Sequence, residues 1–103
     1  MNYEVNSPEA PVVEIDSRNR AAYIRFKRTK IVRTFSPGTS GVVIAVDLDR
    51  NNEVVGVELI GVREFSLTVL LRKLPFIKVK APIERTRYIA TRTARFNPEQ
   101  QVA

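Results

Sequence analysis

Asp47, Asp49 and Asn51 stand at alternate positions, and Glu58 falls at the twelfth position counted from Asp47. This is nearly the spacing with which a short loop wraps oxygen ligands around a calcium ion. Such a loop also needs a glycine at its sixth position and a helix on each flank. Position six here is Asn52, and the flanks VVIAVDLDR and NEVVGVELI alternate with period two. The match is therefore read as accidental, and no metal site is expected. Glu58 sits in the middle of the second apolar run, beside Val43, Gly56 and Ile60. A strand carboxylate usually finds a cation across the sheet, here Arg25 or Arg33. A place for Glu58 in a ligand pocket or a subunit interface is the sharper alternative. The chain has no histidine and no cysteine. That removes the commonest general base, the commonest transition-metal ligand and the thiolate nucleophile. Carboxylate or lysine chemistry stays formally open, but nothing predicts a carboxylate of raised pKa in a pocket. No catalytic residue, cofactor or small-molecule substrate is expected, and the chain is read as a non-enzyme.

The elements that position these residues follow from apolar spacing. Residues 1–10 read as a loose leader, and Pro11–Asp16 as a short β-branched strand. Ala22, Ile24 and Phe26 alternate with Tyr23, Arg25 and Lys27, which predicts a strand half buried on one face. Lys30–Phe35 continues the pattern, and Ser36–Gly41 is the clearest loop. The hairpin follows over residues 42–60. With its turn centred on Arg50 and Asn51, Asp47 opposes Val54, Ala45 opposes Gly56 and Val43 opposes Glu58. Val42, Ile44, Val46 and Leu48 then face Val55, Val57 and Leu59 to make the core. Asn in the turn suits a positive φ. Ser66 is placed as an N-cap, and Leu67, Leu70, Leu71 and Leu74 form a helical stripe of about nine residues, ended by Pro75. Ile77–Lys80 reads as a lysine-bearing edge strand. Residues 85–96 fit neither period.

Charge divides the chain. Residues 1–70 carry nine Lys/Arg and nine Asp/Glu, whereas residues 71–103 carry eight Lys/Arg and two Asp/Glu. The whole net charge of +6 therefore lies in the last third. A small domain over 1–74 with a basic extension over 75–103 is expected, the extension aimed at something anionic. Lys78, Lys80, Arg85, Arg87, Arg92 and Arg95, with Tyr88 and Phe96, are its candidate partner-binding residues. The second face of the hairpin, with Val43, Ala45, Val54, Glu58 and Ile60, is the candidate interface. It is apolar enough that burial against the C-terminal segment or another subunit would be favourable. No secretory signal or membrane span is read, so a cytoplasmic protein is expected.

Residues 14–62 carry a resemblance. Asp16, the run Ala21-Ala22-Tyr23-Ile24-Arg25-Phe26, and Val46-Asp47-Leu48-Asp49 through Glu53-Val54-Val55-Gly56-Val57-Glu58-Leu59 resemble the small prokaryotic family catalogued as domain of unknown function 2283. Arg20 stands where that family usually has an acidic residue and Asn52 where it usually has glycine. The basic segment lies outside the match. The resemblance implies a small α+β domain and no assigned activity.

Together these readings predict an α+β fold. It has an antiparallel sheet of about five strands, one amphipathic helix on one face, and the basic extension. The expected function is a binding module, a homodimer or a subunit of a larger assembly, docking on an acidic partner. A nucleic-acid binder using the same cations is the alternative.

Overall fold

The computed structural model describes residues 2–37 and 41–91. Eight strands and one short helix follow one another: β1 (Tyr3–Asn6), β2 (Val12–Asp16), β3 (Ala21–Arg25), β4 (Arg33–Phe35), β5 (Val43–Leu48), β6 (Val54–Ile60), α1 (Leu67–Arg72), β7 (Ile77–Lys80) and β8 (Arg87–Ala90). Six strands form one sheet in the order β4-β5-β6-β3-β2-β8, and β1 and β7 form a second. The protein is mainly β, which corrects the expected α+β sheet of about five antiparallel strands. Two of the pairings, β1 with β7 and β2 with β8, are parallel.

Those parallel pairings give the fold its second half. Tyr3 lies opposite Ile77, Asn6 opposite Lys80, Val12 opposite Arg87 and Ile15 opposite Ala90. The amide of Ser7 donates to the Lys80 carbonyl, and that of Arg87 to the Pro11 carbonyl. Residues 77–90 thus run beside residues 3–15 as the outer rail of a parallel ribbon that passes from the small sheet into the large one. Prolines at 8, 11 and 82 mark the corner, where a fixed φ and a missing donor suit a change of sheet. Strands β7 and β8 lie beyond Leu74, the expected end of the small domain, and β7 coincides with the strand read over Ile77–Lys80. Strand β1 falls in the stretch read as a leader, although the alternation of buried Tyr3 and Val5 with exposed Glu4 and Asn6 was visible.

One face of the large sheet is the core. Ile24, Val46, Val57 and Leu59 pack there with Leu67, Leu70 and Leu74 of the helix segment and with Val5 and Ile77 of the small sheet. Leu70 is fully buried, and burial of each such leucine is worth about 1.5–3 kcal/mol. Ser66 caps α1 as expected, its hydroxyl accepting from the Val69 amide. The helix itself spans six residues rather than nine. A helix this short depends on packing, not on its own propensity.

The β5–β6 hairpin departs from the expected register. Asp47 opposes Gly56, Ala45 opposes Glu58 and Val43 opposes Ile60. The turn is longer than two residues: the Asp49 amide donates to the Glu53 carbonyl, and Asn52 takes a φ of 63°. A three-residue loop ending in a left-handed residue produces this geometry. A bulge between Asp47 and Leu48 on one strand and Val54–Gly56 on the other then reverses the alternation. Val54 consequently lies in the core with no exposure, which corrects its placement on the second face. Val55, expected in the core, is buried outside that cluster.

Candidate interaction surfaces

The second face of the large sheet is built in rows across the strands. Val43, Ile60, Ala21 and Asp16 share one row, and Ala45, Glu58, Tyr23, Glu14 and Ile89 the next. Thr34, Asp47, Gly56, Arg25, Val12 and Arg87 make the third. A polar band crosses the sheet between the second and third rows. The Thr34 hydroxyl donates to Asp47 Oδ1 at 2.7 Å, and the Tyr23 hydroxyl donates to Asp47 Oδ2 at 2.7 Å. The Arg25 guanidinium lies 5.6 Å from the centre of the Tyr23 ring and pairs with Glu14. Tyr23 reaches Asp47 by lying across Gly56, where a Cβ would stand 2.2 Å from its hydroxyl oxygen. This explains why Tyr23, read as the outward position of its strand, is only 3% exposed.

Arg25 pairs with Glu14 and Arg33 hydrogen-bonds Asn52, so neither takes the part expected of it beside Glu58. The Glu58 Oε2 atom is buried on the second face. Of the expected interface residues, Ala45, Glu58 and Ile60 are half buried there and Val43 is 61% exposed. Val54 alone is removed to the core.

The acidic hairpin has a structural use. Asp49 is buried, and its Oδ1 accepts from the amides of Asn51 and Glu53 at 2.8 and 3.0 Å. Its Oδ2 lies 2.7 Å from the Lys27 ammonium, which also meets Glu53 at 2.6 Å. Burial alone would raise the Asp49 pKa, but the Lys27 contact and the two amides outweigh it and hold the carboxyl below its ordinary value. Burial alone would lower the Lys27 pKa, but Asp49 and Glu53 outweigh that and hold it above. The Lys27 ammonium therefore bridges two carboxylates of the hairpin, Asp49 and Glu53. No cluster of three metal-ligating side chains occurs among the described residues. Asp16 is likewise a cap, accepting from the Asn19 backbone and side-chain amides while Arg20 takes a left-handed φ of 53°.

The basic residues are distributed along the outer rail of the ribbon. Lys78 and Lys80 point outward from β7, Arg85 lies in the corner, and Arg87 opens β8. All four are exposed, and none makes an ion pair among the described residues. Strand β8 is at the border of the sheet with all four residues exposed, Tyr88 at 49% and Ile89 at 41%. The Tyr88 hydroxyl accepts the Leu67 amide at the start of α1, so this side chain ties the edge strand to the helix. Arg92, Arg95 and Phe96 lie outside the described residues.

The fold and its surfaces define a small, mainly β chain with an exposed basic edge strand. No helix among the described residues is long and apolar enough to cross a membrane. No family model, curated protein or solved structure matches the chain. The likeness of residues 14–62 to a known family rests on the quoted residues alone.

Proposed function

We propose that this chain is a non-enzymatic interaction module, a homodimer or a subunit of a larger assembly, that docks on an acidic partner through its last strand. The observation that carries the reading is the position of β8, an exposed strand at the border of the six-stranded sheet with exposed cations beside it. An exposed edge strand is a template for another extended chain, which adds to it by main-chain hydrogen bonds. The amides of Arg87 and Thr91 turn inward to the carbonyls of Pro11 and Ile15. By the alternation of a parallel ladder, the amides of Tyr88 and Ala90 turn outward. Arg85, Arg87, Lys78 and Lys80 favour carboxylates flanking such a strand.

The test is binding of the full chain to a short alternating Glu–Val peptide and to mixed-sequence DNA and RNA across a salt series. Ala90→Pro removes an outward donor without touching the ladder to β2. It is expected to weaken peptide binding by about tenfold, the equivalent of about 1.4 kcal/mol. Arg85→Glu with Arg87→Glu should weaken it further. Unchanged peptide affinity in both variants would end the edge-docking reading. Tight nucleic-acid binding with a steep salt slope and no peptide binding would replace it with the nucleic-acid reading.

A further inference from the structure

The end of the large sheet where β3 leaves and β4 enters is locally cationic, although residues 1–70 are neutral on average. Residues 27–33 hold Lys27, Arg28, Lys30 and Arg33, and the hairpin turn adds Arg50 against Asp49 and Glu53. Both of those carboxylates are taken by Lys27. Arg28, Lys30 and Arg50 are exposed and make no ion pair among the described residues.

Strand order brings these residues together. Strand β3 lies beside β6 and β4 beside β5, so residues 28–31 arch across the tip of the β5–β6 hairpin. Both feet of the arch are fixed. The Lys27 amide donates to the Val55 carbonyl at 3.3 Å, and the Val32 amide to the Leu48 carbonyl at 2.8 Å. Between the arch and the turn lies an open cavity of about 400 Å³, lined by Thr29, Lys30, Val32, Asp49, Arg50 and Asn51. Asp49 would repel an anion, but its Oδ1 is held by two amides and its Oδ2 by Lys27. The charges that remain to act in the cavity are the Lys30 ammonium and the Arg50 guanidinium. Thr29 and Asn51 add a hydroxyl and a side-chain amide as donors. Val32, 56% exposed, supplies an apolar wall.

A guanidinium can meet two phosphate oxygens at once, and an ammonium binds a phosphate as a point charge. The cavity has the size of a small-molecule site rather than of a bare oxyanion. We infer that this cleft binds a phosphorylated small molecule, its phosphate on Lys30, Arg50 and Thr29 and its organic part against Val32. Strand β8 is the opposite border of the sheet, so this site is independent of the proposed edge docking.

The probe is adenosine 5′-monophosphate, titrated into the isotope-labelled full chain with backbone amide shifts read by NMR. Ionic strength is held constant, because salt screens exposed charges. Saturating shifts confined to Thr29, Lys30, Val32, Arg50 and Asn51 are expected. Lys30→Gln and Arg50→Gln should each weaken binding about tenfold, as the loss of a charged hydrogen-bond donor does. Both side chains are exposed, so these variants keep the fold. Arg18→Gln, in the turn at the other end of β3, should leave the affinity unchanged. Adenosine should not bind, and inorganic phosphate should bind more weakly than the nucleotide. Equal affinity for inorganic phosphate would remove the organic part of the inference. Shifts that spread over Lys78, Lys80 and Arg85 without saturating, or an affinity unchanged in both variants, would overturn the site. Tighter binding of single-stranded DNA, with shifts reaching Arg87, would give these cations to a nucleic acid instead.

Discussion

Gly56 shows how one residue organises the second face. Its missing side chain leaves the space that the Tyr23 ring occupies on the way to Asp47. Gly56→Ala puts a Cβ 2.2 Å from the phenolic oxygen, and Tyr23 is too buried to move aside freely. The substitution is expected to cost about 1–3 kcal/mol through overpacking. A urea denaturation series would show this as a lower midpoint at unchanged slope. A midpoint equal to that of the parent would mean that Tyr23 swings away without loss. The sequence placed Tyr23 and Gly56 on one face by period two. It did not disclose their contact, because the diagonal lean of a tyrosine depends on the register of two strands that are not neighbours in sequence.

At the scale of elements, the β5–β6 turn is locked by Lys27 from the segment after β3. Asp49 is held below its ordinary value of 3.8, so its contribution is full above that pH and is lost as pH falls through the lower folded value. Lys27 is held above its ordinary value of 10.5, so its contribution is full below that pH and is lost as pH rises through the higher folded value. Stability from this lock should therefore plateau between about pH 4 and pH 10. Lys27→Met is expected to cost about 1–3 kcal/mol at neutral pH, with a smaller penalty in strong acid, where Asp49 is protonated. Denaturation of both proteins across pH tests this. A penalty independent of pH would show that packing of the lysine stem, not its charge, holds the turn. The acidic spacing that resembles a calcium loop is thus a turn motif. Its partner, Lys27, stands outside the motif and was taken as an outward strand position.

At the scale of the molecule, the parallel ribbon joins the two ends of the chain. Strand β1 pairs with β7, and β2, already paired with β3, gains its second partner in β8, each arriving from about 75 residues away. A chain ending at Leu74 should lose its cooperative melt, since it removes Ile77 from the core and exposes the edges of β1 and β2. Circular dichroism on heating measures this. A melt like that of the full chain would show that residues 1–74 fold independently. The same topology means that Lys78, Lys80, Arg85 and Arg87 lie in two outer strands and the corner between them. They line the exposed side of the ribbon because Glu4, Lys78 and Lys80 cannot be buried unpaired and the apolar Tyr3, Val5 and Ile77 take the inner side.

What the sequence by itself determined is local. The period-two runs gave β2, β3, β5 and β6, Ser66 gave the helix start, and the leucine stripe gave the buried helix face, because each signal lies within a few residues. The exposed strands β4 and β8 carry no alternation of burial: the run Lys30–Phe35 contained the first, and nothing local marked the second. Tertiary structure decided the parallel pairing of the ends, the bulge that sends Val54 inward, and the meeting of Thr34, Asp47, Tyr23, Arg25 and Glu14 on one face. Each of these depends on strand order and register. Those are set by how several apolar faces bury together over the whole chain, and no window of neighbouring residues contains that information.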